Sequence, residues 1–387
     1  MGVNSNRRRP TNCADEKFAH DIGEGFYFPD FICEDTKKDL LFFSLVCRAW
    51  SVPARHILLR HIHIRSLRQF TALTLFLDSH PSACSLIRSA NIKVLPESQD
   101  DVKKAERAWK TFRSCSNVTH AKFSGSAISI LTSEPTPFPN LSEFHFKTFG
   151  STLKQKTLFR FLRTLPSLRR LALRSISDSD LMDDLPFPQF SLDNLAIEEV
   201  KGTAHESQTF HWLLHSSTKS LRSLSLHWVS ELGAPDLKSA LEQCGASLHH
   251  LYVNGSSTEP LPLSPILALC PNLRSLKISL TSLEGLSEEL SSCVRPLEHL
   301  HLTYMPYPGY FADISDIRDL IRLVRAHPAL QGLQKLCLGG DTSISKKTLR
   351  LGYLAPLRTM CSQRNIVFST LEDQHFAGKT DPIIFRF

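Results

Sequence analysis

The sequence predicts an α/β solenoid in which parallel strands line one side and helices line the other. A short apolar pattern, Leu-x-x-Leu-x-Leu with conservative replacements, occurs nine times along the chain. Most steps between copies are 23 to 29 residues, and several of the intervening segments have the apolar spacing of an amphipathic helix. Because one such strand cannot bury its own apolar face, neighbouring copies must stack to form a continuous core.

The alternation of side chains in a strand fixes the role of each template position. The fourth and sixth positions point to one side of the sheet, toward the core, and the third, fifth and seventh point to the other side. The first positions of the nine copies are Val118, Leu141, Leu168, Leu192, Leu221, Leu248, Leu273, Leu297 and Leu333.

The steps match the roughly 20 to 29 residues of leucine-rich repeats. The ninth position is Asn or Cys in the commonest repeats of this kind but in none of these copies, which predicts irregular repeats with variable turns. An ordinary α/β domain with leucine-rich strands is the alternative, and nine copies in near-regular phase argue against it.

A parallel step between strands requires a return segment, usually a helix. Leu158, Phe161, Leu162 and Leu165 follow the i, i+3, i+4, i+7 spacing of an amphipathic helix. The same spacing recurs over 237–244 and 314–324. A helix over 349–361 and a last strand over 366–368 are predicted to cap the end of the solenoid.

Composition narrows the classes of function. The chain has 387 residues and a net charge of +7 spread along its length, which does not favour a nucleic-acid surface. Its longest apolar run, 40–46, is too short to span a bilayer. Ten cysteines without a CxxC pair are typical of reduced core cysteines in a cytoplasmic or nuclear protein.

The sequence lacks the short motifs that are typical of catalytic and metal sites. It contains no HExxH, GxxxxGK[ST] or GxSxG motif and no Cys/His finger spacing. We therefore expect no catalytic residues, no bound metal and no cofactor. An enzyme with an unrecognised site is the alternative, and a deep pocket with convergent polar groups would favour it.

Ahead of the repeats lies an apolar helical segment, 39–50, in which Leu41, Leu45 and Ala49 share a face. The stretch DLLFFSLVCRAWSVPARHILLRHI, residues 39–62, resembles the second half of an F-box, and SLVCRAW is its most specific part. The chain as a whole resembles F-box proteins with leucine-rich-repeat-like bodies. The F-box resemblance covers 28–64, and the usual Leu-Pro opening is represented by Phe28 and Pro29, with a shortened first helix.

The resemblance implies a substrate-recognition subunit of a Skp1–cullin–F-box ubiquitin ligase. In that family the F-box docks on the Skp1 adaptor, and the repeat body binds the protein substrate. A repeat scaffold without adaptor binding is the alternative, in which Leu45 and Trp50 simply pack against the first repeat. The positions that match the adaptor-binding motif are Leu40, Leu45, Val46, Cys47, Arg48 and Trp50.

These features predict four parts of the chain. Residues 1–25 form a disordered tail, 26–64 an F-box-like helical module, 65–370 the repeat solenoid and 371–387 a C-terminal tail. In such solenoids the side chains beside the buried strand leucines line a concave surface.

The third, fifth and seventh positions of the nine copies contain six Lys or Arg, six His and only two acidic residues. We hypothesise that this surface binds an acidic or phosphorylated protein segment; a solvated sheet face of chance composition is the alternative. The candidate residues are Lys122, Lys147, Arg170, Arg174, His227, His250, Tyr252, Lys277, His299, His301 and Lys335.

Overall fold

The computed structural model describes most of the predicted solenoid. The described residues are 48–94, 98–124, 138–147, 155–177, 185–201, 206–227, 234–254, 263–280, 283, 285–304, 314–340 and 354–370. The predicted tails 1–25 and 371–387 lie outside them, as does the part of the F-box-like module before Arg48.

Twelve strands form one parallel sheet, and their order in the sheet is their order in the chain. The strands are β1 (His61–Ile64), β2 (Ser89–Lys93), β3 (His120–Ser124), β4 (Glu143–Lys147), β5 (Arg170–Ser177), β6 (Asn194–Lys201), β7 (Ser223–His227), β8 (His250–Asn254), β9 (Ser275–Leu280), β10 (His299–Tyr304), β11 (Lys335–Gly340) and β12 (Val367–Thr370). The predicted fold class, an α/β solenoid of the leucine-rich-repeat kind, is confirmed.

Helices fill many of the connections between strands. In the described part of the chain they are α1 (Arg48–Arg60), α2 (Leu67–Ser79), α3 (Gln99–Phe112), α4 (Gln155–Arg163), α5 (Glu206–Leu214), α6 (Ala234–Cys244), α7 (Leu263–Ala268), α8 (Leu286–Leu290), α9 (Ile314–Ala326) and α10 (Ala355–Gln363). Helices α4, α6 and α9 confirm the three return helices predicted from apolar spacing. Helix α10 and strand β12 form the predicted terminal pair.

The register of the sheet aligns the template positions of all nine predicted copies, which are β3 to β11. The third position of each copy pairs with the third position of the next, for example Glu143 with Arg170 and His299 with Lys335. Every template position therefore forms a row across the sheet. Because of this register, the apolar positions form a continuous core on one side of the sheet, and the polar positions form a continuous surface on the other side.

The core lies between the strands and the helices. In the copy that includes β5, Leu168 and Leu171 are 0% exposed and Leu173 is 2% exposed. The N-terminal part of the core is rich in aromatic side chains, and the rings of Trp109 and Phe123 meet edge to face with centroids 4.9 Å apart. All these side chains belong to one apolar cluster that runs from β1 to the final strand.

The sheet begins earlier than the sequence predicted. Strand β1, His61–Ile64, lies inside the range assigned to the helical module, and α1 continues through Pro53 to Arg60. Two further copies of the template precede the nine: one starts at Leu59 and the next at Ile87, with steps of 28 and 31 residues. Their fourth and sixth positions are Ile62 and Ile64 in the first copy and Ala90 and Ile92 in the second, and their burial makes β1 and β2 part of the same core.

The cysteines of the described residues are free thiols, and most are buried. Burial raises the pKa of Cys244 and of Cys270 to about 12, so both side chains pack as small apolar groups. Among the described residues, no helix is long and apolar enough to cross a membrane.

Candidate partner-binding surface

The outward face of the sheet is the side opposite the helices, formed by the third, fifth and seventh template positions. Its residues are absent from the apolar cluster even where they are apolar: Ala172 and Ala196 are buried but do not belong to it. The eleven predicted partner-binding residues all lie on this face. They fall in three rows, with Arg170, His250, His299 and Lys335 in the third-position row, Lys122, Tyr252, Lys277 and His301 in the fifth, and Lys147, Arg174 and His227 in the seventh.

One ionic cluster centres on Glu143 of β4, whose side chain is 2% exposed. The carboxylate oxygen Oε1 lies 3.2 Å from Nε2 of His145, and Oε2 lies 3.3 Å from Nη1 of Arg170 and 3.9 Å from Nε2 of His120. Strands β3, β4 and β5 thus each direct one basic side chain at a single buried acid. A buried carboxylate without such partners would destabilise the fold. These ion pairs therefore hold the side chains in fixed positions.

The protonation of this cluster follows from its geometry. Burial alone would raise the pKa of Glu143, but the hydrogen bond from His145 and the charges of His120 and Arg170 outweigh it and hold that pKa below its usual value. Burial lowers the pKa of His145, and Lys122 and His120 add to the effect while Glu143 opposes it. At neutral pH the cluster therefore contains an ionised acid, a neutral His145 that donates its proton, and the cation of Arg170.

A second cluster centres on Glu198 of β6, which is 4% exposed. Its Oε1 lies 3.1 Å from Nη2 of Arg174 and 3.8 Å from Nδ1 of His227. Arg170, Arg174 and His227, which the sequence predicted as partner-binding residues, thus contact the two acids found at the third, fifth and seventh positions of the nine predicted copies. The negative charge of these acids offsets much of the positive charge on strands β3 to β7.

A depression of about 390 Å³, including its open mouth, lies over the same strands. Its floor comprises small side chains at the fifth position of three successive strands, Ala172, Ala196 and Ser225. Its basic and acidic lining residues are Lys122, His145, Lys147, Arg174, Glu198 and His227.

The other half of the outward face, on β8 to β11, differs in charge. The described third, fifth and seventh positions of these strands contain no carboxylate. Lys277 Nζ lies 4.4 Å from the centre of the Tyr252 ring, a cation–π contact across neighbouring strands. Lys335 follows two strands further on. With neutral histidines, the described outward positions of β3 to β7 and of β8 to β11 each have a net charge of +2, but only β8 to β11 reach it without acidic residues.

Two histidines of this half have lowered pKa values, mainly because they are buried. Burial lowers the pKa of His250 to about 4, and the charges of His249, His299 and Arg274 contribute. Burial also holds the pKa of His301 well below its usual value, and here Lys277 and Lys335 lower it further. Because these imidazoles are neutral at physiological pH, the lysines supply the charge of this half and the histidines supply hydrogen-bonding groups.

Most of the predicted adaptor-binding residues lie outside the described part of the chain. These are Leu40, Leu45, Val46 and Cys47, and of Arg48 and Trp50 the structure gives only the backbone, in helix α1. The structure thus places none of their side chains.

Sequence reasoning missed the outward residues of the first two strands. His61 and His63 on β1, and Asn91 and Lys93 on β2, extend the rows of the face to its N-terminal edge. The signal was present as alternation in HIHI and SANIK, which fit the apolar template as well as the predicted copy that starts at Val118 and also has no leucine. No group of three or more His, Cys, Asp or Glu that could hold a metal ion occurs among the described residues.

The fold and this face define the class of the protein, an α/β repeat solenoid with a polar outward surface. No protein-family profile matches the chain, and no curated protein matches it either. Among solved structures, the chain is similar to the crystal structure of the Rad7 and Elc1 complex in yeast, at 12% sequence identity and a TM-score of 0.39. The similarity covers 79% of this chain and 76% of the other.

Proposed function

We propose that this protein is a non-enzymatic substrate receptor of a Skp1–cullin–F-box ubiquitin ligase. Its N-terminal segment docks on a Skp1-type adaptor, and the outward face of the solenoid binds the protein substrate. The observation that carries the proposal is the combination of a registered, polar, twelve-stranded face with an adjacent SLVCRAW segment. Repeat solenoids use such extended faces to bind other proteins.

The position of the N-terminal segment supports the two-part arrangement. Helix α1 ends at Arg60 and leads directly into β1 at His61, so a module bound to the adaptor would be joined to the first repeat without a linker. A short rigid connection fixes the direction in which the substrate is presented, which a flexible linker would not do.

The charge of β8 to β11 supports an acidic or phosphorylated segment as the substrate's contact region. Lys277 and Lys335 lie on the outward rows of these strands, and the rows' described positions hold no carboxylate. Lys and Arg clusters are common readers of acidic and phosphorylated motifs. The neutral imidazoles of His299 and His301 add hydrogen-bonding groups beside the lysines.

Co-purification tests the adaptor half of the proposal. Tagged full-length chain is co-expressed with a Skp1-type adaptor, and recovery of the adaptor is measured for the wild type and for Leu45→Asp. We expect recovery with the wild type and its loss with the variant, because a buried carboxylate in an apolar contact is strongly unfavourable. Lys238→Glu, an exposed change on α6, is the matched control and should leave recovery unchanged.

If folded wild-type chain recovers no adaptor, the receptor proposal is wrong and a scaffold without adaptor binding is favoured. Circular dichroism and a urea unfolding curve establish that each chain is folded. A separate experiment tests the substrate-binding part of the proposal. It measures how much acidic, phosphorylated and neutral peptide the chain recovers from one mixture. Equal recovery of all three classes would rule out charge as the basis of recognition.

A further inference from the structure

Three small side chains follow one another in the fifth-position row of the outward face. They are Ala172 on β5, Ala196 on β6 and Ser225 on β7, and they form the floor of the depression. Larger side chains precede and follow them in the same row, His145 on β4 and Tyr252 on β8. Because neighbouring strands are about 4.8 Å apart, His145 and Tyr252 lie roughly 19 Å from each other. The depression is therefore a gap between large residues, wide enough for one side chain of a partner.

Contacts within the protein hold the residues around this gap. His145 is 2% exposed and belongs to the first ionic cluster. Along one side, Nη2 of Arg174 lies 3.1 Å from Oε1 of Glu198. At the far end, the ring centroids of His227 and Tyr252 are 5.7 Å apart. A ligand that enters the gap meets side chains that are already ordered, so its binding costs less conformational entropy than binding to a mobile surface.

The residues that line the depression combine apolar and cationic groups. The methyl groups of Ala172 and Ala196 supply the apolar part of the floor. The lining also contains three cations, Lys122, Lys147 and Arg174, and one acid, so its net charge is +2 with neutral histidines. A guanidinium that forms an ion pair in its plane still presents its flat faces, on which aromatic rings stack.

An aromatic side chain matches both properties of the lining. Its flat ring can lie on the small floor residues, and the surrounding cations attract the negative face of the ring. A branched aliphatic side chain lacks this attraction. A carboxylate would have to leave water above an apolar floor, and it would meet the negative charge of Glu198.

We propose that the depression binds one aromatic side chain of the protein substrate, which anchors the segment that strands β8 to β11 recognise by charge. The inference rests on the proposed function, and it names a second chemical feature of the substrate. Aromatic anchors in pockets near the centre of an interface contribute much of the binding free energy in many complexes. Ala196, in the middle of the row, determines specificity, because a larger side chain there would fill the space of the ring.

Peptide binding to the full-length chain tests the anchor. The probes are fluorescent ten-residue peptides of Glu and Ser in which one position, moved along the peptide, is Trp, Leu or Ser. Fluorescence anisotropy gives the dissociation constant of each peptide, and the tightest member of each set is compared. We expect the Trp peptide to bind about tenfold more tightly than the Ser peptide, and the Leu peptide at most about threefold more tightly. Equal affinity of the Trp peptide and either of the other two would overturn the inference.

Filling the depression tests where the anchor binds. Ala196→Met should reduce the advantage of the Trp peptide to about twofold or less and leave the affinity of the Ser peptide unchanged. Ala246→Met, the same change at an exposed position after α6, is the matched control and should keep the full advantage. Ala196 lies outside the apolar cluster, and urea unfolding shows whether the variant is folded. If it is not, Ser225→Met on the neighbouring strand takes its place, and a full Trp advantage in the folded variant would overturn the inference.

The same measurements separate the inference from the proposed function. A further set of peptides has Gln in place of Glu, and these should bind more weakly than the acidic peptides while Trp remains preferred. If the Gln peptides bind as tightly as the Glu peptides and Trp is still preferred, the acidic-partner proposal is wrong and the inference stands. If the Glu peptides bind without a preference for Trp, the inference is wrong and the acidic-partner proposal stands. Absence of binding by every peptide would overturn both.

Discussion

The folding stability of this protein should fall as pH drops from 7.5 to 5.5, and His250 should account for a measurable part of that fall. Burial, with the charges of His249, His299 and Arg274, lowers the pKa of His250 to about 4 in the folded protein. In the unfolded chain the pKa of histidine is about 6.5. The unfolded state therefore binds more protons between these two values, and stability is lost as pH falls through this window.

The magnitude follows from linkage. For one histidine with these two pKa values, the loss between pH 7.5 and 5.5 is about 1.4 kcal/mol. His250 is half-buried rather than fully enclosed, so solvent screening reduces the expected contribution to about 1 kcal/mol. His145, His299 and His301 have pKa values lowered in the same direction, so the whole protein should lose more than this.

Urea unfolding curves at pH 7.5 and 5.5 measure the effect in the wild type and in His250→Gln. The free energy of unfolding of the variant should fall by about 1 kcal/mol less than that of the wild type over this pH range. His56→Gln, at an exposed position of α1, is the control and should behave as the wild type. If His250→Gln loses as much stability as the wild type between the two pH values, the assignment of His250 as a buried neutral imidazole is wrong.

Three further changes test other contacts. Glu143→Gln should lower the free energy of unfolding by about 2 kcal/mol because it removes the negative charge and replaces one of the two acceptor oxygens with a donor. Glu298→Gln, in a half-exposed pair with Arg274, should cost at most about 1 kcal/mol, and equal losses would contradict the cluster. Phe123→Ala, at a fully buried position, should cost about 3 to 5 kcal/mol in the same urea assay, and a loss below 1 kcal/mol would refute its place in the core. Gly245→Ala should lower the free energy of unfolding by about 1 to 3 kcal/mol, because a Cβ there would lie 2.3 Å from the Leu269 carbonyl oxygen. An unchanged free energy of unfolding would show that successive repeats do not approach so closely.

The sequence predicted β3 to β11 because their first, fourth and sixth positions are apolar in nearly every copy. Periodicity also determined which side chains share a face, and registration of the strands then placed eleven candidate residues in three rows. Strand β1 was missed because residues 26–64 were assigned to the F-box-like module. Strand β2 was missed although Ala90 and Ile92 fit the same apolar template as Ala121 and Phe123.

Sequence patterns could not predict which charged residues form ion pairs with one another. Arg170 and Glu143 are 27 residues apart, and they meet only because β4 and β5 pair in one particular register. A shift of one residue would send one of the two side chains to the core face. Likewise, the lowered pKa of His301 arises from burial beside Lys277 and Lys335, which come from two other repeats.

The pairing of acids also decides which half of the outward face can recognise a partner by charge. On β3 to β7 the carboxylates of Glu143 and Glu198 already contact Arg170, Arg174 and His227. An acidic ligand there would have to compete with fixed, buried carboxylates for the same cations. The described outward positions of β8 to β11 contain lysines and no carboxylates, so charge reversal at Lys277 should weaken acidic binding more than charge reversal at Arg170 or Arg174.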